Sequence, residues 1–345
     1  MNPVTNHERP GVYSTYDASS LIRSGGGSKT VGLAAKSAAG EAGRLYRFSR
    51  WEEAETIFGP GDAMTELVTL LFRNGAGAVY AVPVAEDDYT DAFALLAGTE
   101  GIDIQVCDST DTAVWQALRD SVAESSQARR ERIAVVGAPA GKSAAELAQL
   151  AQEINSERVV LVAPPEPEGS AGRIAAAVAG TIAGERDPAV PLSGAVLSGL
   201  SGLSARYADS EIDVLVRGGV TPLEEVAGAI SVVRGVTTRT KTGEAEDATW
   251  RELNTILIVD DVIPTIRQSL RARFQRAKNT QQTRGAIRSQ VVMELENKLS
   301  REIITGYSDV AVTADSENPT VCLVEFSFTV THGLNQIWLT AHITV

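Results

Sequence analysis

The chain has 345 residues, 43 % of them hydrophobic and 22 % charged, and a formal net charge of −13. This length suffices for two or three domains with their own cores, and the composition is that of an ordinary globular protein. The acidity argues against general nucleic-acid binding, and two distant cysteines, Cys107 and Cys322, give neither a disulfide framework nor a metal knuckle and fit a reducing compartment. Residues 1–10 are polar and lack a signal-peptide pattern. The longest apolar run, 171–183, is short, Ala/Gly-rich and broken by Arg173, so no membrane span is expected.

Residues 1–20 are irregular apart from a short strand-like run at Val12, Tyr13 and Tyr16, and three glycines at 25–27 form a flexible joint. A strand is expected over 30–35. A helix follows over 50–58, with Ser49 and Glu52 at capping-box spacing, and a second over 62–73, started by Asp62 and stopped by Asn74-Gly75. Residues 79–84 form a short apolar strand whose Pro83 points to a sheet edge. An α/β rhythm then sets in: strand 102–107, helix 112–125 after the cap residue Asp111, strand 132–136, helix 143–154, strand 159–162, helix 170–184. This alternation predicts a largely parallel sheet with helices on its faces. Residues 185–210 read as an irregular connection, 212–216 as a strand, Pro222 as the first residue of a helix, and 232–238 as a strand before a polar turn at 240–247. A long helix over 248–275 contains Pro264, which should kink it or start a new one. Another helix, over about 280–304, has Ile287, Val291, Leu295 and Leu299 on one face, with Gly306 ending it. Two alternating strands, 321–330 and 336–345, complete the sequence, and an edge of this kind invites pairing with another chain.

Catalytic patterns are weak. Gly137-Ala138-Pro139-Ala140-Gly141-Lys142-Ser143 lies between a strand and a helix, but a phosphate loop needs four residues between its glycines, and here there are three. The alternative is a plain strand-to-helix turn with Ser143 as N-cap. His332 and His342 have no Cys, Asp or Glu at metal-ligand spacing, so neither metal binding nor general-base work is expected. Asp260-Asp261 is a paired carboxylate, but adjacent acids on a helix do not face each other. No catalytic residue, cofactor or metal site is assigned.

The basic stretch stands out instead. Residues 262–293 hold Arg267, Arg271, Arg273, Arg276, Lys278, Arg284 and Arg288 and no acid, a charge of +7 that leaves −20 on the rest of the chain. Most charge runs are solvated helix faces. This one lacks compensating acids and is interleaved with Asn279, Thr280, Gln281, Gln282 and Thr283, which suits a hydrated contact with an acidic protein surface; a nucleic acid is the alternative partner.

Short motifs in a shared order resemble one family. Arg9-Pro10-Gly11-Val12-Tyr13, Val31-Gly32-Leu33, Ser49-Arg50-Trp51-Glu52-Glu53-Ala54 and Leu71-Phe72-Arg73-Asn74-Gly75 followed by Val79-Tyr80-Ala81-Val82 are similar to successive elements of contractile phage tail sheath proteins. Pro83 stands where that family commonly has an arginine. Ala177-Val178-Ala179-Gly180, Gly219-Val220-Thr221, Val232-Val233-Arg234-Gly235-Val236-Thr237-Thr238, Phe274, Lys278-Asn279 and Arg284 continue the resemblance.

The resemblance implies a fold of the mixed α/β (α+β) class, with a compact C-terminal α/β sheath domain, an outward α/β domain and extended N- and C-terminal arms. The implied division is 1–24 arm, 25–238 outer part, 239–333 sheath domain and 334–345 C-terminal strand arm. It further implies a non-enzymatic subunit that forms a helical homopolymer of six-fold rings around an inner tail tube protein, with baseplate and tail terminator proteins as further partners. No membrane or direct nucleic-acid contact is implied. The location is a virion tail or phage-tail-like particle, assembled in the bacterial cytoplasm. Arg271, Arg276, Lys278, Arg284 and Arg288 are the expected tube contacts. Val12, Tyr13, Ile337, Leu339, Ile343 and Val345 are the expected strand-exchange residues, and the glycines at 25–27, Gly306 and Gly333 the expected hinges.

Overall fold

The computed structural model describes residues 29–167 and 170–335. Its centre is a nine-stranded sheet. In chain order the strands are β1 (Thr30–Lys36), β2 (Tyr46–Phe48), β3 (Ala78–Val84), β4 (Ile104–Cys107), β5 (Ile133–Gly137), β6 (Val159–Ala163), β7 (Val196–Leu197), β8 (Val220–Val226) and β9 (Ala229–Val232). Their spatial order is β2-β3-β1-β4-β5-β6-β8-β9-β7. The six strands from β3 to β8 in that order run parallel, whereas β2 at one margin and β9 with β7 at the other are antiparallel. The inner strands are apolar throughout because both their faces are covered. Val31, Leu33, Ile104, Val106, Ile133 and Val135 point to one layer of helices, and Ala34, Cys107, Ala134 and Val136 to the other.

The first layer holds α1 (Trp51–Phe58), α2 (Ala63–Arg73) and α6 (Ala171–Gly184); the second holds α3 (Thr90–Gly98), α4 (Thr112–Gln127), α5 (Ala144–Ile154) and α7 (Asp209–Arg217). The expected starts at Asp62, Asp111 and Ser143 hold: each side chain accepts from a backbone N–H of the first turn. At α1 the expected cap shifts by one residue. Arg50 is the N-cap, and Glu53, not Glu52, reaches back to the N–H of Ser49 at 2.9 Å.

Several expectations fail. The strand expected over 232–238 is absent: β9 ends at Val232, and beyond it Val236 makes an isolated bridge to Glu252. Residues 212–216 lie in helix α7, where Leu215 and Val216 are its buried residues, so the alternation of Ile212, Val214 and Val216 misleads. Pro222 opens no helix; it sits in β8 opposite Ala163, at the last register position with β6, before β8 turns to pair with β9. Pro83 is not on an edge strand, since β3 lies between β1 and β2, but it falls beyond the short run that β2 pairs, where its missing N–H is not required.

The last third consists of two hairpins in succession. Helix α8 (Leu253–Phe274) runs through Pro264 without dividing, and α9 (Gln281–Ser300) returns beside it. The second helix, expected over about 280–304 with Gly306 ending it, stops at Ser300, and Gly306 lies inside strand β12 (Ile304–Ala314). β12 pairs antiparallel with β13 (Cys322–Val330), so the partner of 321–330 within this chain precedes it. A small two-stranded ribbon, β10 (Lys241–Thr242) and β11 (Ala245–Glu246), occupies the expected polar turn. The expected strand 336–345, the run at Val12 and Tyr13, and the joint at 25–27 lie outside the described residues.

Candidate assembly interface

The geometry around the glycine-rich turn after β5 closes it to phosphate. A Cβ on Gly137 would lie 1.9 Å from the carbonyl oxygen of Ala171, so the first turn of α6 occupies the ground above the strand end. The N-terminus of α5 already has its anion. Glu146 accepts from the N–H of Ser143 at 2.9 Å and from its hydroxyl at 2.8 Å, completing a capping box. These bonds from Ser143, with Lys142 beside them, hold the Glu146 carboxyl down to about 2. The crevice at the carboxyl ends of β1 and β4, where the strand order reverses, is the usual ligand position in such sheets. Here Asp108 bridges it, accepting from the N–H of Lys36 at 3.1 Å and from the hydroxyl of Tyr89. Among the described residues no group of three His, Cys, Asp or Glu side chains is placed to hold a metal, and no helix is long and apolar enough to cross a membrane.

The paired carboxylates are structural, and each takes its own cation. Asp260 receives both terminal nitrogens of Arg158, at 2.6 and 3.0 Å, from the residue preceding β6. Asp261 is paired with Lys298 on α9. Seven residues after Asp260, on the same side of the helix, Arg267 pairs with the buried Glu131 just ahead of β5. α8 is therefore bolted across the amino ends of β5 and β6 and to its own partner helix. Burial pushes the Asp261 carboxyl up to about 6, against the pull of Lys298, Arg301 and Lys29; burial likewise lowers Lys298, against the pull of Asp261. Asn254 anchors the first turn of α8 by donating to the carbonyls of Pro188 and Val190 at 2.9 and 2.8 Å.

Beyond Leu270 the helical hairpin is at most half-buried, with Phe274 and Ile287 packed against the margin of the core. No residue from 271 to 289 is buried. This projecting tip carries Arg271, Arg273, Arg276, Lys278, Arg284 and Arg288. Arg271 and Arg273 sit in the last turn of α8, where the helix dipole favours a cation. Arg284 and Arg288 sit in the first half of α9, whose first turn holds no acid, so they gain nothing from the dipole. The structure splits the five expected contact residues. Arg271, Arg276 and Lys278 are exposed, with no acidic group within 4 Å among the described residues. Arg284 is half-buried and donates to Asn279 at 2.9 Å, and Arg288 donates through Nε to the carbonyl of Val310 at 2.9 Å. That carbonyl falls at a bulge in β12, between Ser308 and Ala311, so Arg288 repairs a gap in the ladder.

The β12–β13 hairpin lies along α9. One face of β13 (Val324, Phe326, Phe328, Val330) packs against the core, and the alternate residues (Leu323, Glu325, Ser327, Thr329) face outward. Each strand pairs only with the other among the described residues, which leaves both outer margins open. Gly333 then packs on Pro191, where an added Cβ would lie 2.8 Å from the proline ring. The six expected strand-exchange residues, Val12, Tyr13, Ile337, Leu339, Ile343 and Val345, lie outside the described residues.

Two family models match the chain in order. The phage tail sheath protein central domain covers residues 83–238 and the phage tail sheath C-terminal domain covers residues 245–344, about three quarters of the chain together. The chain belongs to the phage tail sheath family. It is 27 % identical over 308 residues to the tail sheath protein of Bacillus phage SP01, a match that takes in 86 % of this chain and 52 % of that protein. The chain thus spans about half the length of the curated relative it matches. Among solved structures, it superposes on the helical sheath of the anti-feeding prophage in its contracted state with a TM-score of 0.71 at 19 % identity, covering 98 % of this chain and 99 % of that one. The sheath tail protein of Desulfitobacterium hafniense gives a TM-score of 0.71 at 12 % identity over 93 % and 100 %. The sheath of the extracellular contractile injection system PVC, in its contracted state, gives 0.72 at 16 % over 99 % of both chains. These sheath structures share the α/β fold of this sheath-family chain.

Proposed function

We propose that this sheath-family chain is a structural subunit of a contractile tail sheath, which polymerises helically in six-fold rings around an inner tail tube and contracts to drive that tube through a cell envelope. The observation that carries the reading is the β12–β13 hairpin, a pair of strands whose outer margins are unpaired among the described residues. Such a margin accepts a strand from a neighbouring subunit, and main-chain pairing depends little on side-chain fit. It therefore survives large rigid-body movements of the bodies it links. Head-to-tail contacts of this sort build an open helical polymer, not a closed ring alone. The donated strands would come from the arms, with Val12 and Tyr13 at one end and Ile337, Leu339, Ile343 and Val345 at the other.

The division into arm (1–24), outer part (25–238), sheath domain (239–333) and strand arm (334–345) belongs to the same proposal. So do the joints at 25–27 and at Gly333. Gly306 is a poorer hinge than the sequence indicates, since it lies inside β12. The projecting basic tip faces the tube. Exposed ion pairs are worth only ~0–1 kcal/mol each. A contact repeated over many subunits then holds the sheath, while each subunit can release as the array shortens. The role is structural, and the work of contraction comes from burial between subunits. The further partners are the tube protein, the baseplate and the tail terminator. Assembly takes place in the bacterial cytoplasm, and the product is a virion tail or phage-tail-like particle.

The test is electron microscopy of the concentrated chain, alone and co-expressed with its tube protein, beside a variant lacking residues 336–345. Helical tubes are expected from the full chain and none from the truncated one. Unimpaired polymerisation without the last ten residues would refute strand exchange through them.

A further inference from the structure

The turn between α8 and α9 and the turn between β12 and β13 are forty residues apart in sequence and meet in space. One side chain joins them. Asn279 donates from Nδ2 to the carbonyls of Pro319 at 2.8 Å and Val321 at 3.1 Å, while its Oδ1 accepts from Nη1 of Arg284 at 2.9 Å. Three of the four hydrogen bonds open to an amide are thereby made. The β turn is itself firmly folded. Asp315 accepts from the N–H groups of Glu317 and Asn318 at 2.7 and 3.1 Å, and Asn318 accepts from the N–H and hydroxyl of Thr320 at 3.0 and 2.6 Å. Farther back, Arg288 to Val310 and Tyr307 to Glu296 tie the same strand to α9. The turn that Asn279 holds also carries the exposed Glu317, whereas the linear basic stretch contains no acid.

We propose that the two turns form one docking surface for an acidic protein partner, locked together by Asn279, so that a partner seated on the cations of the helical turn also tightens the β12–β13 hairpin. The identity of the partner rests on the tube-contact reading; the coupling rests on the Asn279 bonds. A ligand that stabilises one of two linked elements must stabilise the other by their coupling free energy. The β12–β13 margins are the place where a neighbouring strand would add, so an occupied tip favours a hairpin ordered for linkage. Asn279 acts as a positioning residue: it need not touch the partner, and it holds the two halves of the surface in register. Arg271, Arg273, Arg276 and Lys278 supply the direct contact.

Hydrogen exchange on the full chain, read by mass spectrometry at low ionic strength with and without poly-L-glutamate as the acidic probe, tests this. In the wild-type chain the probe is expected to slow exchange both at 268–288 and at 312–324, by about tenfold, the factor that one or two hydrogen bonds supply. In Asn279→Ala the probe is expected to protect 268–288 alone. Asn279→Asp keeps the acceptor for Arg284 and loses both donors, and should behave as the alanine variant does. Arg271→Glu with Arg276→Glu should lose protection in both segments. Unchanged exchange over β3 to β6 certifies the fold of each variant. Protection of both turns in Asn279→Ala, to the wild-type extent, overturns the coupling. So does wild-type protection confined to the helical turn, and in that case the tube-contact reading stands. No protection anywhere in the wild-type chain overturns the docking surface itself, and the tube-contact reading with it.

Discussion

Replacing Asp260 with alanine strikes the bolt that positions the whole projecting tip. Arg158 is only 1 % exposed, and its two terminal nitrogens both end on Asp260. Without the carboxylate, Nη1 keeps its bond to the carbonyl of Arg132 at 3.1 Å, but the two-pronged pairing with Asp260 is gone. Stranding one member of a buried ion pair costs about 3–5 kcal/mol. With an unfolding entropy of about 2.1 cal/mol/K per residue, this chain unfolds with roughly 0.7 kcal/mol/K, so the melting temperature should fall by about 4–7 °C. Differential scanning calorimetry measures that fall directly. Asp260→Leu combined with Arg158→Met removes both charges and leaves apolar bulk. It is expected to recover most of the loss, because well-packed apolar residues commonly replace a buried ion pair without penalty. A drop of less than about 1 °C in Asp260→Ala would show that Arg158 does not depend on this carboxylate. A double variant as unstable as the single one would move the cost from stranded charge to lost packing.

Four other outcomes are expected. Gly137→Ala drives a methyl group into the carbonyl of Ala171, which is backbone and cannot step aside, and should destabilise by about 3 kcal/mol in urea unfolding. The raised carboxyl of Asp261 means that the folded chain binds its proton more readily than the unfolded chain does, so this group makes stability fall as pH rises from about 4 to about 6. Urea midpoints across that range should decline less steeply in Asp261→Asn, although its absolute stability is lower because Lys298 then lacks its counter-charge. Arg271→Glu with Arg276→Glu should leave stability within about 0.5 kcal/mol, as exposed substitutions do, and, on the proposed tube contact, abolish co-assembly with the tube protein; normal co-pelleting of the two would remove these residues from the proposed contact. Glu146→Ala should cost about 1 kcal/mol by opening the capping box of α5, read as a shift of the urea midpoint.

Much of the sheet was open to reading from the residues alone. From 102 to 163 each parallel strand is a short apolar run and each helix carries a capping residue, so pattern and local chemistry agree. Agreement breaks where one pattern serves two structures. Residues 212–216 alternate like a strand and also place Leu215 and Val216 on one helical face, and packing against α5 selects the helix. At 304–314 Gly306 and Asp309 look like breakers, yet β13 supplies a partner and two irregularities absorb the misfit. The short margin strands β2 and β7 have two or three residues each, too few to carry a period.

By itself, then, the sequence determined the α/β rhythm, the helix starts at Asp62, Asp111 and Ser143, the concentration of positive charge after residue 266 and the family to which these belong. All of these are local properties, set by side-chain period, capping chemistry or order along the chain. Tertiary structure decided what each charge does. Arg158 and Asp260 are 102 residues apart, Glu131 and Arg267 136, and Asn279 and Pro319 forty. No spacing rule links such positions, because they are brought together by the burial of α8 on the sheet and of β12–β13 along α9. That burial turns seven similar cations into a half-buried bolt at Arg267, two struts at Arg284 and Arg288, and four exposed cations at Arg271, Arg273, Arg276 and Lys278.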